Sequence, residues 1–83
     1  MRENISYAFV DLRETSQVGE AIRRFRKQRG LTQRQLADKA GCSLMYVSNL
    51  ERGKPTAEIG IALNVLDALE VDLSLTDRCE GRF

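Results

Sequence analysis

The chain has 83 residues, 42% hydrophobic and 30% charged, with no histidine, two cysteines and a net charge of +1. That length allows one domain burying only about 60–65% of its unfolded surface, so self-association is an effective way to add burial. Without histidine the usual general base and zinc ligand are missing. No run nears the ~20 apolar residues of a membrane span and no signal-peptide pattern opens the chain, so a cytoplasmic, nucleoid-associated protein with reduced Cys42 and Cys79 and no metal or cofactor is expected.

Residues 1–14 are expected to form an N-terminal arm or short strand, because Ile5, Tyr7 and Phe9 alternate with Ser6 and Ala8. Thr15 or Ser16 then caps a helix over 17–29, with Val18, Ala21, Ile22 and Phe25 inward at helical spacing and Gly30 ending it. Two short helices follow. Thr32 and Gln35 have capping-box spacing, and Leu36, Ala37 and Ala40 form one apolar face. Gly41 sits where a helix end favours positive φ, Ser43 can cap the next helix, and Val47 and Leu50 give it an inner face. A helix pair of this size can seat its second member in a DNA major groove.

Gly53-Lys54-Pro55-Thr56 reads as a loop, with Thr56 capping a helix over 57–69. Its expected inner face is Ile59, Ala62, Leu63, Leu66 and Leu69, with Ile61 and Val65 beside it and Gly60 inside. Val71, Leu73 and Leu75 then alternate with polar residues, which marks residues 71–76 as a short half-buried strand. A lone strand needs an edge partner: the segment Ile5–Val10, or the same strand of a second copy. Residues 77–83 read as a flexible tail, which leaves 15–70 as the helical domain.

The near-zero net charge conceals a polarised chain. Residues 23–54 hold nine Arg or Lys against Asp38 and Glu51, whereas both flanking segments are net acidic. Such polarity suits a positive face for nucleic acid, although the Arg23–Arg29 cluster alone could be a solvated helix surface. Phosphate-binding glycine loops and the G-x-S-x-G nucleophile pattern are absent from the sequence. Asp67, Glu70 and Asp72 fit an exposed face, and no enzyme is expected.

On the DNA reading, Ser43, Leu44, Met45 and Ser48 lie on the exposed side of the second helix and reach base edges. Thr32, Gln33 and Arg34 at the start of the first helix, with Tyr46, Asn49, Arg52 and Lys54, are candidates for phosphate. Each has a plainer alternative: Ser43 as a cap only, Leu44 and Met45 as local packing or a protein contact. Apolar side chains cannot make bidentate bonds to bases but can touch a thymine methyl, so few hydrogen bonds plus DNA shape are expected to set preference.

The run Gly30-Leu31-Thr32-Gln33-x-x-Leu36-Ala37-x-x-x-Gly41, followed by Val47-Ser48-x-Leu50-Glu51-x-Gly53, resembles the lambda-repressor-like, XRE/Cro-type helix-turn-helix family over about residues 17–70. The segment from Val65 to Leu75, a last helix running into a short strand, is similar to HipB-like antitoxins, including the Y4mF-type group. The resemblance implies a mainly α, four-to-five-helix domain whose C-terminal β-strand pairs across a homodimer, with Val71, Leu73 and Leu75 at the interface. It also implies an inverted-repeat operator in double-stranded DNA and a HipA-like serine/threonine kinase toxin as partner and corepressor. By position it assigns Gln33 to phosphate and Ser43, Leu44, Met45 and Ser48 to the groove. A phage-type or restriction-system controller repressor without a toxin shares every DNA feature. A protein-interaction module using Leu44 and Met45 as anchors is the reading from another class.

Overall fold

The computed structural model describes residues 10–79, so the expected alternation at 5–9 and the end of the tail lie outside the described residues. The fold is mainly α. Four helices follow in order: α1 (Thr15–Gln28), α2 (Gln33–Ala40), α3 (Leu44–Glu51) and α4 (Ile59–Ala68). α2 packs against both α3 and α4, and α1 lies across α3. Ile22, Leu36, Ala37, Val47, Leu50, Val65 and Leu69 form the core, drawing at least one side chain from each helix or its cap. Full burial of each Val, Leu or Ile contributes about 1.5–3 kcal/mol.

Helix ends follow local chemistry. α2 opens on the expected capping box: Gln35 N–H donates to Thr32 Oγ1 at 3.0 Å, and Thr32 N–H donates to Gln35 Oε1 at 2.9 Å. Ser43 caps α3 by accepting from Tyr46 N–H at 3.0 Å. The start of α1 corrects the sequence reading. Its cap is Glu14, not Thr15 or Ser16, because Gln17 Oε1 accepts the Glu14 and Arg13 N–H groups at 3.0 and 2.6 Å. Thr15 is spent elsewhere, donating to the Gly53 carbonyl at 2.8 Å and tying α1 to the end of α3. α4 likewise begins two residues later than expected, capped by the Glu58 carboxylate accepting from Ile61 N–H at 3.0 Å rather than by Thr56. Gly60 therefore lies in the first turn beside that carboxylate, not at a helix–helix contact.

All four helices close the same way. The N–H just past the corner residue returns to the carbonyl five residues before it: Leu31 to Arg26, Cys42 to Ala37, Lys54 to Asn49 and Val71 to Leu66, at 2.9–3.1 Å. This closure needs a left-handed residue at its corner. Gly30, Gly41 and Gly53 supply it in three helices, whereas Glu70 supplies it after α4 with φ of 59°. Gly19 answers a different demand. A Cβ there would stand 2.4 Å from the Glu51 carbonyl oxygen, so only glycine lets α1 cross α3 this closely.

The inner face of α4 also differs from expectation. Val65 and Leu69 are fully buried and Ile61 and Ala62 half-buried, whereas Ile59 is 71% and Leu63 45% exposed. Apolar residues occupy nearly every position of this helix, so two stripes compete on spacing and only the packing partner selects one. Beyond it, Val71 packs against the core, but Leu73 and Leu75 are 50% and 90% exposed. No strand forms among the described residues.

Candidate nucleic-acid interface

The outward face of α3 is built by elimination. Val47 and Leu50 point into the core, and the Glu51 side chain is only 3% exposed. Met45, Ser48 and Arg52, three and four residues apart, consequently share the opposite side. Leu44 and Asn49 flank them. Met45 is 70% exposed and Leu44 38%; neither packs against the core. Just before this pair of helices comes together, α2 begins with Gln33 and Arg34, whose backbone N–H groups have no acceptor among the described residues. Arg34 and Lys54 are exposed cations nearby in sequence to the two helix ends.

A buried polar network holds this arrangement rigid. Glu51 at the end of α3 accepts from Arg26 Nε and Nη2 at 2.6 and 3.1 Å, and from Gln33 Nε2 at 3.0 Å. Arg26 Nη1 donates in turn to the Leu31 carbonyl at 2.8 Å. One carboxylate and one guanidinium thus fasten α1, the turn before α2, the first residue of α2 and the last of α3. The pair is almost fully desolvated, with side chains 9% and 3% exposed. Such a pair holds only when its remaining donors are satisfied, and no buried side-chain polar atom lacks a partner among the described residues. Gln33 keeps a second amide proton beyond this bond.

Sequence reasoning missed this network because it counted Arg26 and Glu51 only as charges. The signal was available: Arg26 lies four residues after Ile22, on the buried side of α1. The same geometry corrects the charge argument. α1 turns Gly19, Ile22 and Arg26 toward α3, so Arg23, Arg24 and Lys27 lie on its far side, around an open depression shared with Glu20 and Gln28. Arg29 folds back over the Phe25 ring, 5.4 Å from its centroid. The cations at or next in sequence to the start of α2 and the end of α3 are Arg34, Arg52 and Lys54 instead.

Several expected phosphate ligands also bond within the chain. Tyr46 is half-buried against the core and donates its hydroxyl to the Glu58 carbonyl, pinning α3 to the cap of α4. Its only O–H is engaged by that carbonyl in this structure. Burial, with Glu58 beside it, pushes the phenol above its ordinary range and keeps that proton in place. Asn49 Oδ1 accepts from Arg52 Nη2 at 2.7 Å, aligning the guanidinium while leaving the Asn49 amide protons free. Thr32 and Ser43 act as caps, and each retains a hydroxyl proton. Cys42, between the two helices, is half-buried; desolvation raises its thiol above the usual range, so it packs as a small apolar group.

Comparison with known proteins agrees with this geometry. The helix-turn-helix family profile matches residues 22–75. An uncharacterized HTH-type transcriptional regulator, y4mF of Sinorhizobium fredii, is 38% identical over 86% of this chain and 93% of its own length. Antitoxin HipB of Escherichia coli K12 is 29% identical over 84% of this chain and 80% of its own. The immunity repressor of Bacillus phage phi105 is 39% identical over 69% of this chain, which spans only 40% of that protein. Among solved structures, a HipB–O4 20mer complex and a HipA–HipB–O2–O3 complex each superpose with a TM-score of 0.77 at 28% identity, covering 84% of this chain and 99% of theirs. With this helix pair, its closures and the matching profile, the chain belongs to the XRE-type helix-turn-helix family of DNA-binding regulators.

Proposed function

We propose that this chain is a sequence-specific repressor that binds an inverted-repeat operator as a homodimer and serves as a HipB-like antitoxin. The observation that carries the DNA reading is the outward face of α3. It is held by buried bonds yet is itself uncovered, with unpaired α2 N–H groups and Arg34, Arg52 and Lys54 around it. Ser48 is the base-reading hydroxyl, with Ser43 at the helix mouth; Gln33, Arg34, Asn49, Arg52 and Lys54 grip the two phosphate walls. A second copy brings a second α3, and the exposed Leu73 and Leu75 of each tail supply the joint.

The antitoxin reading is supported by likeness to HipB over 80% of the Escherichia coli K12 sequence and over 99% of the chain solved in a HipA–HipB complex. A kinase of that type is the proposed partner. A phage-type repressor with no toxin is the competing reading, supported by the likeness to the phi105 immunity repressor.

Two measurements test this reading, the first its DNA binding and the second its partner. Fluorescence-anisotropy titration on the chain's own promoter, repeated across salt concentrations, should show affinity falling steeply with salt. Ser48→Ala should weaken that site by about 1–3 kcal/mol while leaving random duplex alone, and equal loss on both would remove base readout. Arg34→Ala should weaken every sequence alike and flatten the salt dependence. Affinity purification from the native host then decides the partner: a co-purifying kinase supports the antitoxin, and DNA binding without one favours the controller repressor.

A further inference from the structure

Building on that DNA-binding reading, we infer that α3 reads the C5-methyl groups of thymines in its site, touched by Met45 and Leu44, beside the hydrogen bond made by Ser48. Several hydrogen-bonding side chains around the helix already make one bond within the chain, which fixes their direction and leaves each only part of its capacity. Gln33 donates to Glu51, Asn49 Oδ1 is held by Arg52, Tyr46 is bonded to the Glu58 carbonyl, and Ser43 Oγ accepts from the Tyr46 N–H. What the first turn offers to a ligand is apolar: Met45 at 70% and Leu44 at 38% exposure, neither packed on the core.

In the major groove, donor and acceptor patterns distinguish all four base pairs, but an apolar side chain senses only the thymine methyl. Met45 lies on the same outward line as Ser48 and Arg52, so it meets the base edges rather than the flanks. Its unbranched thioether adapts to where a methyl lies. Ser48 adds one hydroxyl to a base edge of the preferred site. The recognition element for this chain is therefore duplex DNA bearing thymine methyls at fixed positions in each half-site.

The test uses the full chain and a duplex enriched from a random library by the chain itself. Each thymidine is replaced singly by deoxyuridine, which removes the methyl and leaves every hydrogen-bonding group in place. At least one position per half-site should lose about fourfold in affinity, the value of one buried methyl. Met45→Ala or Leu44→Ala should abolish that difference between thymidine and deoxyuridine. Both side chains lie outside the core, and a thermal melt of each variant confirms the fold. Sequence-selective binding that is indifferent to every deoxyuridine, or a difference that persists in both variants, overturns the methyl readout while leaving DNA binding intact. No salt-dependent binding to any duplex overturns both.

Discussion

Between Thr32 and Gly53, caps, closures and one buried carboxylate tie nearly every helix end and polar anchor to another part of the chain. Between Ile59 and Leu75 the pattern reverses: Ile59, Leu63, Leu73 and Leu75 stand in solvent with no covering group among the described residues. The first region presents a surface that is rigid before it meets any ligand. The second keeps apolar area uncovered, which is costly for a lone small domain and useful for one that meets its copy. The comparison teaches that α3 is held in place by the fold, whereas the apolar residues of α4 and beyond are left open for the association proposed above.

The strongest way to break the first region is Glu51→Ala. It strands the Arg26 guanidinium in a desolvated site, and removing one member of a buried pair costs about 3–5 kcal/mol. Urea unfolding followed by circular dichroism should show most of the stability of so small a domain disappear. A double variant, Arg26→Met with Glu51→Leu, sharpens the point. It should recover much of that stability, since apolar replacement of both partners is often neutral, yet still bind DNA weakly because Gln33 has lost its anchor. Full recovery of binding would deny the network any positioning role.

The second region is probed by Leu73→Asp with Leu75→Asp. Each leucine buried at a dimer joint contributes about 1.5–3 kcal/mol, so dissociation should rise on the order of a hundredfold or more. Sedimentation velocity across a concentration series reads this directly. Helix content should not change, because neither side chain belongs to the core. Unaltered association would move the joint elsewhere, with the exposed Ile59 and Leu63 stripe the next place to look.

The smallest effect is expected where the two regions meet. Glu70 occupies a left-handed corner that glycine fills in the other three helices. Glu70→Gly relieves a left-handed cost of about 1–2 kcal/mol and gives back about 0.4–1 kcal/mol through glycine's freer unfolded chain, so stability should rise by about 1 kcal/mol or less. A melting temperature that falls instead would mean the Glu70 side chain has a contact worth more than the strain.

Much of α2 and α3 was legible because their signals are local. Thr32 with Gln35, Gly41 and Ser43 each act on atoms within a few residues, so spacing alone gives both helix starts and the turn between them. The cap of α1 was local too, but Gln17 reaching back to Glu14 uses residue types less specific to helix starts than Ser or Thr. α4 failed for a different reason. Its periodicity was satisfied by two stripes, and nothing in a single helix says which one α2 will cover.

Sequence by itself determined a mainly α chain, the turn between α2 and α3, and the outward residues of α3, since these follow from hydrogen bonds and spacings a few residues long. Only the tertiary structure decided that Arg26 is consumed by Glu51, that Tyr46 clamps the α4 cap, that the α1 cations point away from α3, and that Gly19 must be glycine. Each of these depends on which surfaces of distant segments exclude water together. A charge or a hydroxyl changes its duty when a neighbour from elsewhere in the chain removes its solvent.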